Sequence, residues 1–104
     1  MSFEMQRSNG DGPVTTYAVA GELDIAVADE VIRELRAARQ AHARVLLDMS
    51  GVTFIDSSGL RALLVSAKNG DGHGADVVLA RPSQTVCDLL ELSGARRLFT
   101  VVDG

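Results

Sequence analysis

The sequence predicts an α/β domain: a small, mixed but mostly parallel β-sheet with helices packed mainly on one face. Three observations carry that expectation. The apolar spacing switches along the chain between strand-like and helix-like periods, so that the elements read β-β-α-β-α-β-α-β. Strands that alternate with crossover helices imply parallel pairing. Only three substantial helices are available, which leaves one face of the sheet better covered than the other. A length of 104 residues, 46% of them apolar and 23% charged, suits one domain with a sizeable core. Residues 1–104 are expected to form that single unit, since no repeat, low-complexity block or linker interrupts them.

Taken in order, "SNGDGP" (Ser8 to Pro13) is dense in turn formers and predicts a hairpin between two short strands. "VTTYAVAGEL" follows, rich in residues that suit a pleated surface, with Gly21 expected to end or bend the strand. From Ile25 to Gln40 the period changes: Val27, Val31, Leu35 and Ala38 recur every three to four residues with charges between them. That is an amphipathic helix, with Asp24 or Asp29 able to cap or charge its start. "ARVLLDMS" carries the unbroken run Val45, Leu46 and Leu47, as in a central strand. A second helix is expected from about Ser58 to Lys68, with Leu60, Leu63, Leu64 and Ala67 as its core stripe. "NGDGHG" (Asn69 to Gly74) reads as a loop, and "DVVLA" as a short buried strand stopped at Arg81-Pro82. A third helix is expected with Ser83 as its cap and Gly94 at its end, and "LFTVV" (Leu98 to Val102) as the last strand. With aromatics at only 4%, the core must come from Val, Leu, Ile and Ala.

Bulk properties narrow the function classes. A formal charge of -4 argues against nucleic acid as the main partner, because phosphate backbones need a basic face. No apolar run approaches the roughly 20 residues that span a bilayer, so direct membrane insertion is not expected. The opening "MSFEMQRSNG" lacks the pattern of a secretion signal. Cys87 is the sole cysteine and implies no disulfide framework; it reads as a small apolar residue rather than a redox sensor. A cytoplasmic setting fits these features.

The chemistry concentrates in "FIDSSGLRALL", Phe54 to Leu64, where an acid and two serines stand at the passage from strand to helix. Catalysis is one reading of the serines. A serine nucleophile needs a base within reach, however, and the stretch is not a G-x-S-x-G elbow. The only histidines are His42 and His73. Glu22, Asp24 and Asp56 are carboxylates that the sheet could bring to one end, but without His or Cys they do not make a metal site. No phosphate-binding glycine motif is present, so neither cofactor nor metal is expected. A helix cap is the second reading: Ser57 or Ser58 serves as N-cap, worth about 1 kcal/mol over Ala, with Asp56 adding charge at the positive helix end. The third reading makes one serine an acceptor for a partner's kinase. A phosphate there adds about -1.5 to -2 charges, which the helix dipole partly accommodates and a docked partner does not.

"GELD" (Gly21 to Asp24), "LLDMSGVTFIDSSGLRALL" (Leu46 to Leu64) and "LLELSGARRLF" (Leu89 to Phe99) together resemble the anti-sigma factor antagonists, bacterial STAS domains. The resemblance runs from about Val14 to Val102, and the central D-x-S-x-V/I-x-x-I/M-D-S-S/T-G-L pattern is its specific part. It implies a non-enzymatic regulator that binds an anti-sigma factor, itself a serine kinase holding ATP, and so frees a sigma factor. It also implies that phosphorylation on Ser58 switches binding off, that a PP2C-type serine phosphatase resets the cycle, and that Ser57 keeps the capping role. Asp24, Asp56, Ser57, Ser58, Gly59 and Arg61 are the positions that match the docking surface. The family serves sporulation and stress responses; the same fold also docks, without phospho-switching, in stressosome-like and lipid-transport complexes.

Three features depart from the family's pattern. Arg61 stands where many members have a small residue, a long cation that could select a partner or screen the phosphate. "NGDGHGAD" is glycine-rich and long. The chain also stops soon after its last strand, where many relatives add a short helix, which is expected to leave room for a partner or for self-association.

Overall fold

The computed structural model describes residues 2–8, 14–40, 44–68 and 77–102. Five strands run β1 (Phe3–Ser8), β2 (Val14–Leu23), β3 (Arg44–Ile55), β4 (Val77–Ala80) and β5 (Thr100–Val102). Three helices lie between them, α1 (Ile25–Gln40), α2 (Ser57–Lys68) and α3 (Gln84–Ser93), with a 3-10 turn at Arg96–Leu98. The hairpin turn at residues 9–13, the glycine loop at residues 69–76 with its His73, and His42 lie outside the described residues.

The sheet order is β1-β2-β3-β4-β5. β1 pairs antiparallel with β2, as a hairpin requires, and every later pair is parallel. Each parallel step is one strand sideways in the same direction. Crossovers of this kind are right-handed almost without exception, so each helix is delivered to the same side of the sheet. The monotonic order therefore explains why the helices share one face. It also provides no reversal of strand order, the place where open α/β sheets hold nucleotides.

Burial follows this layering. In β3, Val45, Leu47 and Met49 are fully buried toward the helices, while Leu46 and Asp48 between them are half-buried on the other face. The core joins these to Tyr17, Val19 and Leu23 of β2, Val31, Leu35 and Ala38 of α1, Leu60 and Leu63 of α2, Leu79 of β4, and Val86 and Leu90 of α3. Leu64 is only partly buried against it. Tyr17, the sole fully buried aromatic, donates its hydroxyl to Glu34 Oε2 at 3.2 Å and so ties α1 to the sheet. Burial, and then the Glu34 carboxylate, push the phenol's pKa up, which keeps it a neutral donor.

Two elements depart from their expected form. β3 runs seven residues past Asp48, to Ile55, because two bulges carry it. One extra residue enters between the pairs Ala18–Asp48 and Ala20–Gly51, and another between Gly21–Val52 and Glu22–Phe54. Met49, Val52 and Ile55 are consequently all buried at a spacing of three, which a strict alternation would not allow. Gly21 bends β2 with a φ of +94° but does not end it. The final strand begins only at Thr100, because Leu98 belongs to the 3-10 turn.

The stop after β4 lies at Arg81, as expected, but its φ is +48° rather than extended. Its amide donates to the Val102 carbonyl at 2.9 Å. Ser83 occupies the N-cap position of α3 without a side-chain cap bond, and its hydroxyl is buried without a partner. Gly94 ends α3 in the left-handed region, as expected. Cys87 is half-buried, its Sγ 3.7 Å from the Pro82 carbonyl oxygen.

Candidate functional site

The site is built where β2 and β3 end side by side. Leu23 and Ile55 are the last register pair of these parallel strands, and an acidic residue follows each: Asp24 before α1 and Asp56 before α2. Adjacent strands lie about 5 Å apart, so two helix N-termini open next to each other on the same edge of the sheet.

Both acids are caps. Asp24 Oδ1 accepts the Ala26 amide at 3.0 Å, which settles the start of α1 on Asp24 rather than Asp29. Asp56 Oδ1 accepts two amides, Ser58 N at 2.9 Å and Gly59 N at 3.1 Å, while its carbonyl receives Leu60 N at 3.0 Å. Each carboxylate meets orphan N–H groups at the positive end of a helix, where negative charge is favourable.

The cap of α2 is therefore Asp56, not Ser57. Ser57 and Ser58 are the first two residues inside the helix. The acid is one position closer to the strand and accepts the Ser58 and Gly59 amides, so neither serine hydroxyl serves as the cap. Among the described residues neither hydroxyl has a hydrogen-bond partner. Ser57 is exposed and Ser58 half-buried.

Gly59 belongs to the same turn but lies beneath the surface, buried against β2. What it lets approach is backbone, the carbonyl of Leu23. The solvent-facing positions are thus left to exposed Ser57 and Arg61 and half-buried Ser58. Ser58 and Arg61 both line a groove of about 450 Å³ between α1 and α2, whose other wall carries Ile25, Asp29 and Ile32.

Two apolar side chains at this edge were not singled out from sequence. Ile25, in the first turn of α1, is 76% exposed, and Phe54, beside the second bulge, is 46% exposed. Phe54 thus leaves part of an aromatic ring in solvent just before the capped start of α2. Ile25 directly follows the cap and stands outside the Val27, Val31, Leu35 stripe, which is the signal that could have found it.

The motif's earlier acid and serine form a separate local structure. Asp48 Oδ1 accepts the Ser50 amide at 3.1 Å and the Ser50 hydroxyl at 2.8 Å, bracing the first bulge. Asp48 Oδ2 also pairs with Arg81 from the end of β4. Burial raises the pKa of Asp48, but the bonds from Arg81 and from both Ser50 groups outweigh it and hold the carboxyl below its ordinary range. Among the described residues no three His, Cys, Asp or Glu side chains are placed to hold a metal, and no helix is long and apolar enough to cross a membrane.

A one-sided α/β layer, in which β2 and β3 end side by side at two acid-capped helix starts, defines the class of domain. The STAS domain family model matches residues 3–103, and the chain belongs to that family. It is 26% identical over 93 residues to a STAS-domain containing protein of Pseudomonas aeruginosa, covering 89% of this chain and 92% of the relative. It is 27% identical over 105 residues to an anti-sigma F factor antagonist of Paenibacillus polymyxa, covering 99% and 87%. The Bacillus cell fate determinant SpoIIAA in its phosphorylated form has the same fold, with a TM-score of 0.75 at 19% identity over 97% of this chain and 91% of that one.

Proposed function

We propose that this protein is a non-enzymatic anti-sigma factor antagonist: unphosphorylated it binds an anti-sigma factor that is also a serine kinase and releases the sigma factor, and phosphorylation on Ser58 ends the complex. The observation that carries this reading is the capping arrangement. Because Asp56 takes the Ser58 and Gly59 amides of α2, the two serine hydroxyls are spare, and a phosphate on either breaks no hydrogen bond of the fold. The named relative from Paenibacillus polymyxa supports the same role.

The switch then acts on association and not on stability. A docked partner would cover the edge formed by Asp24, Asp56, Ser57, Ser58 and Arg61, with Ile25 and Phe54 as its apolar contacts. A phosphate there is a dianion placed beside two cap carboxylates. Burying a negative charge that the partner does not pair costs several kcal/mol, and each 1.4 kcal/mol is a tenfold loss of affinity. A PP2C-type phosphatase would restore the binding form.

The test is intact mass of the protein after incubation with ATP and each candidate anti-sigma kinase from its own genome, followed by peptide mapping. One added phosphate on Ser58, absent in Ser58→Ala, is expected. Ser58→Ala should hold the partner constitutively and Ser58→Asp should bind it poorly. Unaltered phosphate incorporation in Ser58→Ala would remove the site assignment. Stable complexes with no phosphate on any variant would leave a docking module without the switch.

A further inference from the structure

Resting on that reading, we propose that Arg61 holds the phosphate once Ser58 carries it, so that phosphorylation adds a negative charge to the docking edge and at the same time ties up the free positive charge beside it. Arg61 and Ser58 line the same groove and lie three residues apart on α2. Side chains at that spacing are neighbours on a helix surface, about 5–6 Å apart at Cβ. Arg61 is exposed and, among the described residues, makes no ion pair. Its guanidinium is therefore free to turn, in contrast to Arg81, which Asp48 holds.

The charges around Ser58 decide where Arg61 goes. Asp56 and Asp24 are fixed in their caps, each bonded to backbone amides. Asp29, on the opposite wall of the groove, carries a single charge. A phosphoserine dianion at position 58 outweighs it, and a planar guanidinium meets a phosphate with two parallel bonds. Before phosphorylation the same side chain stands free to meet an acidic group of the partner.

The experiment is a phosphorus-31 titration of the full chain with phosphoserine installed at position 58 by genetic code expansion. A nearby cation favours the dianion and lowers the second phosphate pKa, so removing it must raise that value. At about 5 Å in water-like surroundings the rise is about half a pH unit, and more if the groove is drier. Arg61→Gln is expected to show it and Arg61→Lys to recover part of it. Arg96→Gln, the same change of net charge beside β5 at the far edge of the sheet, is expected to leave the titration unmoved. Equal titrations for Arg61→Gln and Arg96→Gln would overturn the assignment. Because the phosphate is installed without a kinase, a failure of every kinase to modify Ser58 would count against the proposed function and leave this result readable.

Discussion

Gly59 stands over the backbone of Leu23: a Cβ at position 59 would lie 2.3 Å from the Leu23 carbonyl oxygen and 2.9 Å from its Cγ. The same carbonyl accepts the Asp56 amide at 3.4 Å, so the end of β2, the end of β3 and the first turn of α2 meet at one oxygen. The nearest atom is backbone, and the next two are side-chain carbons of Leu23 and Ile55, both buried in the core, so little there can yield. Helix propensity alone would make Gly59→Ala stabilising by about 1 kcal/mol. The steric conflict reverses that sign, and a net loss of about 2 kcal/mol is expected in urea unfolding. A variant as stable as the parent would show that α2 can lift off β2 at no cost.

The capping geometry separates Asp56 from the serine beside it. Asp56→Ala removes the acceptor of two amides and is expected to cost about 1–2 kcal/mol, a fall in Tm of roughly 5–9 °C for a domain of this size. Ser57→Ala removes a hydroxyl that bonds nothing and is expected to stay within about 0.5 kcal/mol of the parent. Thermal unfolding of the two variants side by side checks this. A loss in Ser57→Ala comparable to that in Asp56→Ala would return the cap to the serine.

The capping result also shows how far the residues alone could be read. The bounds of α1 and the core positions Val31 and Leu35 follow from a clean helical period, and the one-sided sheet follows from strand order and helix count. The identity of the cap does not, because Asp-Ser-Ser offers three competent residues in a row and only the strand's endpoint selects among them. The passage from strand to helix is visible in the residues, but the path of β3 up to it is obscured by the two bulges. They convert the buried spacing of β3 from two to three at Met49, Val52 and Ile55, a pattern that resembles a helix or a loop when read locally. The left-handed Arg81 is invisible for a similar reason. Its conformation is set by β5, through Val102, and by Asp48, both far away in sequence.

Ile25 and Phe54 separate docking from folding. Ile25 is 76% exposed, so Ile25→Ser removes little buried surface and is expected to leave stability within about 0.5 kcal/mol. If the edge formed by the two helix starts is the contact surface, the same change should weaken binding to the anti-sigma partner at least fivefold, about 1 kcal/mol. Phe54→Ala should add to the loss, with a larger effect on stability because half of its ring is covered. Isothermal titration of each variant with the partner reads the outcome directly. Affinity unchanged in both would place the partner on another face.

The pair Asp48–Arg81 predicts how the protein responds to acid. The carboxyl of Asp48 has a folded pKa below its unfolded value of about 3.9, so it binds a proton more readily in the unfolded chain. Its contribution to stability is therefore fully present above about pH 5 and is lost as the pH falls through the folded value. Asp48→Asn removes the titration, so the gap in stability between parent and variant should be constant from pH 7 to about pH 5 and shrink below about pH 4. Urea unfolding at pH 7, 5 and 3 measures it. The surface-exposed arginine makes the gap modest and sensitive to salt. Arg81 adds a second comparison, since its φ of +48° favours glycine. Both Arg81→Ala and Arg81→Gly lose the ion pair, but the glycine variant should be the more stable by about 1 kcal/mol. A gap for Asp48→Asn that persists undiminished at pH 3 would assign the role of Asp48 to bracing the Ser50 bulge, with its charge irrelevant.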